Sequence, residues 1–260
     1  MTIRCLVIGG TFAPWLCEHF YYDKILHIPE EIGITAEFTS IQMLGLGDIM
    51  DSVATISRKY FETCEDDFIL IGHSQGAIIA NLLAIQHSDR VLAVIALAGP
   101  YKGTVWTDPQ TMVVKLAIEG VHQISRGNIR LKPHLPKSRL SKVAGRVIPV
   151  VRHLSSDSDV LKTVKQYLES QEYGPYTHSI IGTDDRFVLP SRSAHPTGPR
   201  VKKYLAAHPD IHHHLQGRIP EEIELLAFRA GHIGMVHDPS VLTLVKEIIT
   251  SQLPNHSSSV

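Results

Sequence analysis

The sequence is poor in several features that would place it in a special class of protein. Only three of its 260 residues are cysteine, and Cys5, Cys17 and Cys64 lie far apart. Because no CxxC pair occurs, the sequence predicts neither a zinc site nor a disulfide framework, and three cysteines fit a reducing compartment. No apolar run reaches the ~20 residues of a membrane-spanning helix, and the first residues show no signal-peptide pattern. We therefore expect a cytoplasmic protein without a transmembrane segment.

Net charge is also small over the whole chain. The formal charge is −1 at pH 7, which argues against nucleic-acid binding. The distribution is uneven, because residues 101–146 carry nine Lys or Arg and two acidic residues, a local charge of +7. A solvated face is the simplest interpretation of this segment. Contact with an anionic membrane surface, or with the phosphates of a coenzyme A thioester, is the alternative.

The sequence does contain a regular alternation of strand-like and helix-like segments. Apolar, β-branched runs predict strands at 3–8, 36–41, 68–71, 91–98, 177–181 and 223–228. Helical patterns lie at 16–27, 49–64, 77–83 and 239–251. This alternation predicts an α/β fold with a doubly wound, mostly parallel sheet. Because it fails after Pro100, we predict a core of 1–100 and 176–253, a helical cap insertion at 101–175 and a flexible tail at 254–260.

The most specific motif is Gly-x-Ser-x-Gly at residues 72–76. It follows the apolar run 68–71 and precedes the helix-compatible residues 77–83, so it occupies a sharp turn between a strand and a helix. Such a turn holds the serine, here Ser74, in a tight backbone conformation with its hydroxyl exposed. Both glycines are needed, since a Cβ at either position would crowd the neighbouring strand and helix. The context predicts that Ser74 is a nucleophile.

A serine nucleophile needs a base, and the base needs an acid that orients it. The acid candidates are Asp184 and Asp185, in the turn after the strand at 177–181. We favour Asp185, because the spacing Asp-x-x-Val, with Val188 turning back to pack, resembles the acid loop of the fold that the serine motif indicates. Asp184 is the alternative, and the pair is also compatible with a solvated turn.

His232 is the candidate base among 16 histidines. It follows the predicted strand at 223–228 and precedes the last helix, and two nearby glycines let its loop bring the imidazole to the serine. His237 is the competitor, but it adjoins Asp238-Pro239, which is typical of a helix start and favours a local structural role. We expect His73, within the serine motif, to pack beside the sheet.

Two backbone N–H groups must stabilise the negative charge that develops on a substrate carbonyl. The candidates are Gln75, directly after the nucleophile, and Thr11, which follows Gly9-Gly10 at the end of the first strand. The glycine pair would keep side chains out of the acyl site. A dinucleotide-binding loop is the rival interpretation, but residues 9–14 lack the G-x-G-x-x-G spacing. The spacing therefore argues against a dinucleotide-binding loop.

On these motifs the chain resembles the α/β-hydrolase superfamily, and more narrowly its lipase- and esterase-like members from bacteria and fungi. The resemblance covers most of residues 2–100 and 177–252. It includes residues 98–104, Ala-Gly-Pro-Tyr-Lys-Gly-Thr, which are similar to the Pro-His-x-Gly-Ser/Thr stretch of many lipases. One departure is that Gly9-Gly10 replaces the usual His-Gly before the oxyanion residue. The resemblance implies no metal and no cofactor, and it implies the following site: the triad Ser74, Asp185 and His232, with Thr11 and Gln75 at the oxyanion hole.

The functional hypothesis is a serine hydrolase that cleaves carboxylic esters of small molecules or lipids through an acyl-enzyme intermediate. An acyl thioesterase or acyltransferase would use the same triad, and a non-catalytic ligand-binding protein of the same fold would usually lack one of its members. Phe12, Tyr101 and Trp106 are candidates to line an apolar substrate channel, although aromatic residues more often pack in a core. The run His212-His213-His214 suggests a metal, but consecutive imidazoles point in different directions, so we expect a surface role.

Overall fold

The structure, a computed structural model, describes the strands and helices of one parallel α/β sheet. The described residues are 2–10, 18–39, 47–103, 152–170, 174–183, 185, 188, 196–206, 232 and 234–254. Within them the sheet has six strands: β1 (Ile3–Ile8), β2 (Thr35–Thr39), β3 (Asp67–His73), β4 (Val91–Leu97), β5 (Tyr176–Gly182) and β6 (Val201–Ala206). Their spatial order is β2-β1-β3-β4-β5-β6, and every neighbouring pair is parallel.

The direction of the chain across the sheet reverses beside β1. From β1 the chain passes to β2 on one side, and it then returns to β3 on the other side. In doubly wound sheets, ligands bind outside the carboxyl ends of the strands at such a switch point. Here the residues at that point are Gly9 and Gly10 after β1 and Ser74 after β3.

Five α-helices are described: α1 (Glu18–Glu31), α2 (Ile49–Ile56), α3 (Gln75–Gln86), α4 (Asp159–Glu169) and α5 (Pro239–Ser251). A π-helical segment, Ser57–Phe61, continues α2, and a 3-10 turn, Gly234–His237, precedes α5. Side-chain caps begin three of the described helices, and at α4 the Ser158 hydroxyl oxygen accepts the N–H of Leu161. Asp48 Oδ1 accepts the N–H of Met50 at the start of α2, and Asp238 Oδ1 accepts the N–H of Ser240 at the start of α5.

The helices cover both faces of the sheet, which confirms the doubly wound architecture. On one face, α2, α3 and α4 share a buried apolar cluster that includes Val53, Ile78 and Leu161. On the other face, α1 and α5 share a second cluster that includes Ile25 and Val245. Helix α3 is buried from Gln75 to Ala84, so its apolar residues follow no single-sided pattern.

Most of the predicted strands are confirmed within one or two residues, but the sequence misses β6. This strand reads Val-Lys-Lys-Tyr-Leu-Ala, and two consecutive lysines interrupt its apolar pattern. Only Ala206 of its residues is fully buried, so hydrophobicity carries little information about it. The predicted strand at 223–228 lies outside the described residues.

The predicted cap at 101–175 is described only at its ends, and its basic residues from 104 to 146 lie outside the described ranges. At its carboxyl-terminal end, α4 buries Leu161, Val164 and Leu168 in the same cluster as α2 and α3. We therefore propose that the core resumes at α4 and that the cap comprises residues before it. In the described part of the chain, no helix combines the length and the apolar character needed to cross a membrane.

Candidate functional site

Ser74 lies in the turn between β3 and α3 in a conformation that few non-glycine residues adopt. Its backbone has φ 55° and ψ −123°, and a strained residue of this kind costs about 1–3 kcal/mol. The surrounding structure holds the turn, because the N–H of Ser74 donates to the carbonyl of Leu97 on β4 at 2.8 Å. The serine is half-buried at the carboxyl edge of the sheet. This is the strained strand–turn–helix geometry that the sequence motif predicts.

The two glycines of the motif make the turn sterically possible. A Cβ at Gly72 would lie 2.4 Å from the carbonyl oxygen of Gly76, in the first turn of α3. A Cβ at Gly76 would lie 2.2 Å from the carbonyl oxygen of Ile8, on β1. Both distances are far below any van der Waals contact, and both partners are backbone atoms that no rotamer change can move. The helix and the neighbouring strand therefore approach the turn as closely as the sequence predicts.

The Gly76→Ala variant is expected to lose about 3 kcal/mol or more of its free energy of unfolding, since the added methyl group must push β1 and α3 apart. Chemical denaturation followed by circular dichroism measures this loss. Gly33→Ala is a suitable control, because Gly33 has φ +78° but nothing lies within 4 Å of an added Cβ. That control should lose about 1–2 kcal/mol from backbone strain alone. Equal losses in the two variants would contradict the close approach at Gly76.

The structure brings Asp185 and His232 together. His232 Nδ1 lies 2.7 Å from Asp185 Oδ2, across 47 residues of sequence. The side chain of Asp185 is 0% exposed and that of His232 is 10% exposed. The second carboxylate oxygen of Asp185 accepts the N–H of Val188 at 2.8 Å, so the Asp-x-x-Val spacing closes a turn around the carboxylate. Asp184 lies outside the described residues.

The bond to Asp185 determines which nitrogen of the His232 ring carries the proton. A carboxylate accepts hydrogen bonds, so Nδ1 must donate, and Nε2 of the neutral ring then has a lone pair. His237, the competing histidine, is half-buried and packs instead against the ring of Tyr21, with the ring centroids 5.4 Å apart. This burial lowers the pKa of His237 to about 4. His232 is thus the histidine that the structure pairs with Asp185.

His73 connects the nucleophile turn to the loop of His232. Its Nε2 lies 2.9 Å from the carbonyl oxygen of His232, and the two ring centroids are 4.8 Å apart. Its Nδ1 lies 3.0 Å from the hydroxyl of Tyr22 on α1. The sequence predicts only that His73 packs beside the sheet, and it gives no signal for Tyr22. Both residues form contacts that appear only once the elements are folded together.

Of the two predicted oxyanion donors, Gln75 is described and Thr11 lies outside the described residues. Gln75 is the first residue of α3, and first-turn N–H groups of a helix point outward along its axis, at the positive end of the helix dipole. Gly10, one residue before Thr11, lies against the nucleophile, because an added Cβ would be 2.9 Å from the Cβ of Ser74. The backbone at Gly10 therefore passes directly beside Ser74.

Of the three predicted substrate contacts, only Tyr101 is described, and Phe12 and Trp106 lie outside the described residues. Tyr101 is buried in the cluster around α2, α3 and α4. Its hydroxyl accepts a hydrogen bond from Asn81 Nδ2 at 3.1 Å. This packing gives Tyr101 a structural role, and its contact with a substrate stays a prediction.

No group of three or more His, Cys, Asp or Glu side chains in the described ranges is arranged to hold a metal ion. The run His212-His213-His214 lies outside those ranges. Neither of the two described cysteines, Cys5 and Cys64, forms a disulfide.

Comparison with known proteins gives a fold but no sequence family. No protein-family model and no curated protein matches the chain. Among solved structures, a lipase-esterase related protein from Clostridium acetobutylicum ATCC 824 is similar, with a TM-score of 0.56, 12% identity, and coverage of 96% of this chain and 94% of that chain. A carboxylesterase structure from the thaumarchaeon Nitrososphaera gargenis has a TM-score of 0.55 and 16% identity, with coverage of 95% and 92%. Est1E from Butyrivibrio proteoclasticus, with ferulic acid bound, has a TM-score of 0.53 and 15% identity, with coverage of 97% and 89%. The chain has the α/β-hydrolase fold, as the sequence motifs predict.

Proposed function

We propose that the protein is a serine hydrolase that cleaves carboxylic esters, with Ser74 as nucleophile, His232 as general base and Asp185 as the acid that orients it. The observation that carries the proposal is the buried 2.7 Å hydrogen bond between His232 Nδ1 and Asp185 Oδ2. The backbone of His232 is in turn bonded to His73, the residue before Ser74. Acyl transfer requires an imidazole held by a carboxylate together with a nucleophilic serine. The His232–Asp185 pair and the strained, half-buried Ser74, whose neighbour His73 bonds the backbone of His232, support this assignment.

In the first half of the reaction, the Ser74 hydroxyl attacks the ester carbonyl carbon while Nε2 of His232 takes its proton. The imidazolium that forms carries a positive charge in a buried position, where an unpaired charge is costly. The carboxylate of Asp185 compensates this charge through the bond at Nδ1. The alcohol then leaves with the proton that His232 returns, and the acyl group remains on Ser74.

The tetrahedral intermediate needs donors for its oxyanion, and we assign these to the N–H groups of Gln75 and Thr11. The position of Gln75 at the start of α3 supports the first assignment. The second rests on the chain path, because the N–H of Gly10 already donates to the Tyr22 hydroxyl at 3.1 Å and Thr11 is the next residue. Loss of one such donor typically lowers the rate about 10²–10³-fold.

In the second half, water replaces the alcohol. His232 takes a proton from the water as it attacks the acyl-enzyme, and the carboxylic acid leaves as Ser74 recovers its proton. The same residues would serve a thioester or an acceptor other than water. The observation that favours a thioester is the basic segment 101–146, most of which lies outside the described residues. Ester hydrolysis is the first proposal because several similar solved structures are named as esterases.

The direct test is labelling of the wild-type protein with a fluorophosphonate, measured by intact mass. We expect one adduct per chain, on the peptide that contains Ser74, because such probes react with serines activated by a base. A well-folded protein that forms no adduct would contradict the proposal and favour a ligand-binding protein. Rates on nitrophenyl esters of increasing acyl length, and on the matching acyl thioesters, then separate ester from thioester hydrolysis.

A further inference from the structure

Tyr22 and His73 form a buried chain of hydrogen bonds between the two loops that flank Ser74. The chain starts at the N–H of Gly10 after β1, which lies 3.1 Å from the Tyr22 hydroxyl oxygen. It continues from the Tyr22 hydroxyl to His73 Nδ1 at 3.0 Å. It ends at the carbonyl oxygen of His232, 2.9 Å from His73 Nε2. Tyr22 is 1% exposed and His73 5% exposed, so water does not compete for these bonds.

The donor and acceptor in each bond follow from the atoms at the two ends. A backbone carbonyl only accepts, so His73 Nε2 carries the proton and donates to His232. His73 Nδ1 is then an acceptor, and the Tyr22 hydroxyl must donate to it. The Tyr22 oxygen is left to accept from the N–H of Gly10. The chain therefore has one possible direction, from Gly10 through Tyr22 and His73 to His232.

We propose that Tyr22 and His73 are positioning residues. They hold the backbone at His232 and the backbone at Gly10 in fixed positions relative to Ser74. The inference rests on the proposed function, because it assigns the two residues to the reaction at Ser74. His73 acts through the backbone of His232, and Tyr22 acts through Gly10 and through the tautomer of His73. Neither residue is assigned a bond-making or proton-transfer step, although the His73 ring also packs against the His232 ring, with the centroids 4.8 Å apart.

Their effect comes from the cost of leaving any member of the chain without a partner. A buried N–H or carbonyl that loses its hydrogen bond keeps its full desolvation penalty, so the backbone shifts to find another partner. At His232 such a shift moves the imidazole relative to Ser74, and a misplacement of about 1 Å is enough to lower a rate about 100-fold. At Gly10 it moves the next residue, Thr11, to which we assign an oxyanion donor.

The arrangement also stays the same across the working pH range. Burial, together with the nearby charge of His232, lowers the pKa of His73 to about 3. Burial raises the pKa of Tyr22 above its usual range. His73 therefore remains neutral and Tyr22 remains protonated while His232 gains and loses a proton, and the direction of the chain does not reverse during turnover.

Replacement of His73 separates positioning from packing. The His73→Phe variant keeps an aromatic ring but removes both hydrogen bonds, and we expect its kcat and its rate of fluorophosphonate labelling to fall about 10–100-fold with KM nearly unchanged. His73→Gln keeps an N–H donor at about the reach of Nε2, and we expect it to recover at least about tenfold of that loss. A purely packing role predicts the opposite order, because phenylalanine fills the site better than glutamine.

The Tyr22→Phe variant tests the other half of the chain. We expect a similar fall in kcat, because the Gly10 N–H and His73 Nδ1 both lose their partner. Tyr204→Phe is the matched control, since the Tyr204 hydroxyl also bonds a histidine, at 3.1 Å from His178 Nδ1, but on β5 and β6. The control should lower the melting temperature and leave kcat per labelled site unchanged. Rates expressed per site that the probe labels remove any contribution from unfolded protein.

The tautomer of His73 gives a readout independent of activity. In protein with ¹⁵N-labelled histidine, the His73 signals are those lost in His73→Phe, and we expect a protonated Nε2 and an unprotonated Nδ1 throughout the neutral pH range. A protonated Nδ1, a wild-type labelling rate in His73→Phe, or no gain from glutamine over phenylalanine would each overturn the inference while leaving the proposed function standing. Absence of an adduct on wild type would instead overturn the proposed function, and with it the inference.

Discussion

The Ser74→Ala variant is expected to lose on the order of 10⁶ of its kcat on ester substrates, the loss seen when the nucleophile of an acyl-transfer site is removed. Without the hydroxyl, no acyl-enzyme can form, and any remaining turnover must come from direct attack by water next to His232. KM should change little, because the oxyanion donors and the rest of the site remain. The variant should also form no adduct with a fluorophosphonate in intact-mass measurements.

The fold should survive this change. Alanine tolerates φ 55° about as well as serine does, and the serine's N–H bond to Leu97 belongs to the backbone. Ser57→Ala is the matched control, because the Ser57 hydroxyl lies 2.8 Å from a histidine nitrogen, His87 Nε2, in the π-helical segment after α2, away from the proposed site. We expect the control to keep full labelling. Turnover near the wild-type level in Ser74→Ala would end the proposal that Ser74 is the nucleophile.

How far the sequence predicts the fold depends on how each segment is buried. Strands β1, β3 and β4 lie inside the sheet with helices on both faces, so they appear as uninterrupted apolar runs that a sequence pattern detects easily. The cap of α5 is equally local, because Asp238 and Ser240 are two residues apart. Strand β6 is different, since its lysines are exposed. Its place in the sheet is determined by pairing with β5 rather than by its own composition.

The same distinction applies to the candidate site. Five consecutive residues specify the strained turn at Ser74, and four consecutive residues specify the turn from Asp185 to Val188. The Tyr22–His73 contact joins residues 51 positions apart, and neither residue type indicates such a bond by itself. A contact of that kind is specified by the packing of α1 against the sheet, which local patterns do not encode. The predictions for Thr11, Phe12 and Trp106 concern residues outside the described ranges and stay predictions.

The Asp185→Asn variant is expected to lower kcat about 10⁴-fold with the fold intact, for a reason that the surroundings of Asp185 make specific. One carboxylate oxygen accepts the Val188 N–H, and the other accepts His232 Nδ1–H. Asparagine has only one oxygen, and the Val188 N–H requires that oxygen at its own position. The amide NH₂ group then faces His232, so Nδ1 becomes an acceptor and the proton moves to Nε2. A ring protonated at Nε2 cannot take the proton of Ser74.

The flipped orientation of the asparagine amide is also unfavourable. It places the NH₂ group against the N–H of Val188, so that two donors face each other in a position that water does not reach. Kinetics on a nitrophenyl ester and the rate of fluorophosphonate labelling measure the loss, and both should fall together since both report attack by Ser74. Asp238→Asn is the matched control: Asp238 is also buried, at 2% exposure, and lies six residues after His232, but asparagine caps a helix as well as aspartate does. It should leave both rates unchanged. If Asp185→Asn kept a rate within tenfold of wild type, the orienting acid would have to be another residue, and Asp184→Asn would be the variant to measure next.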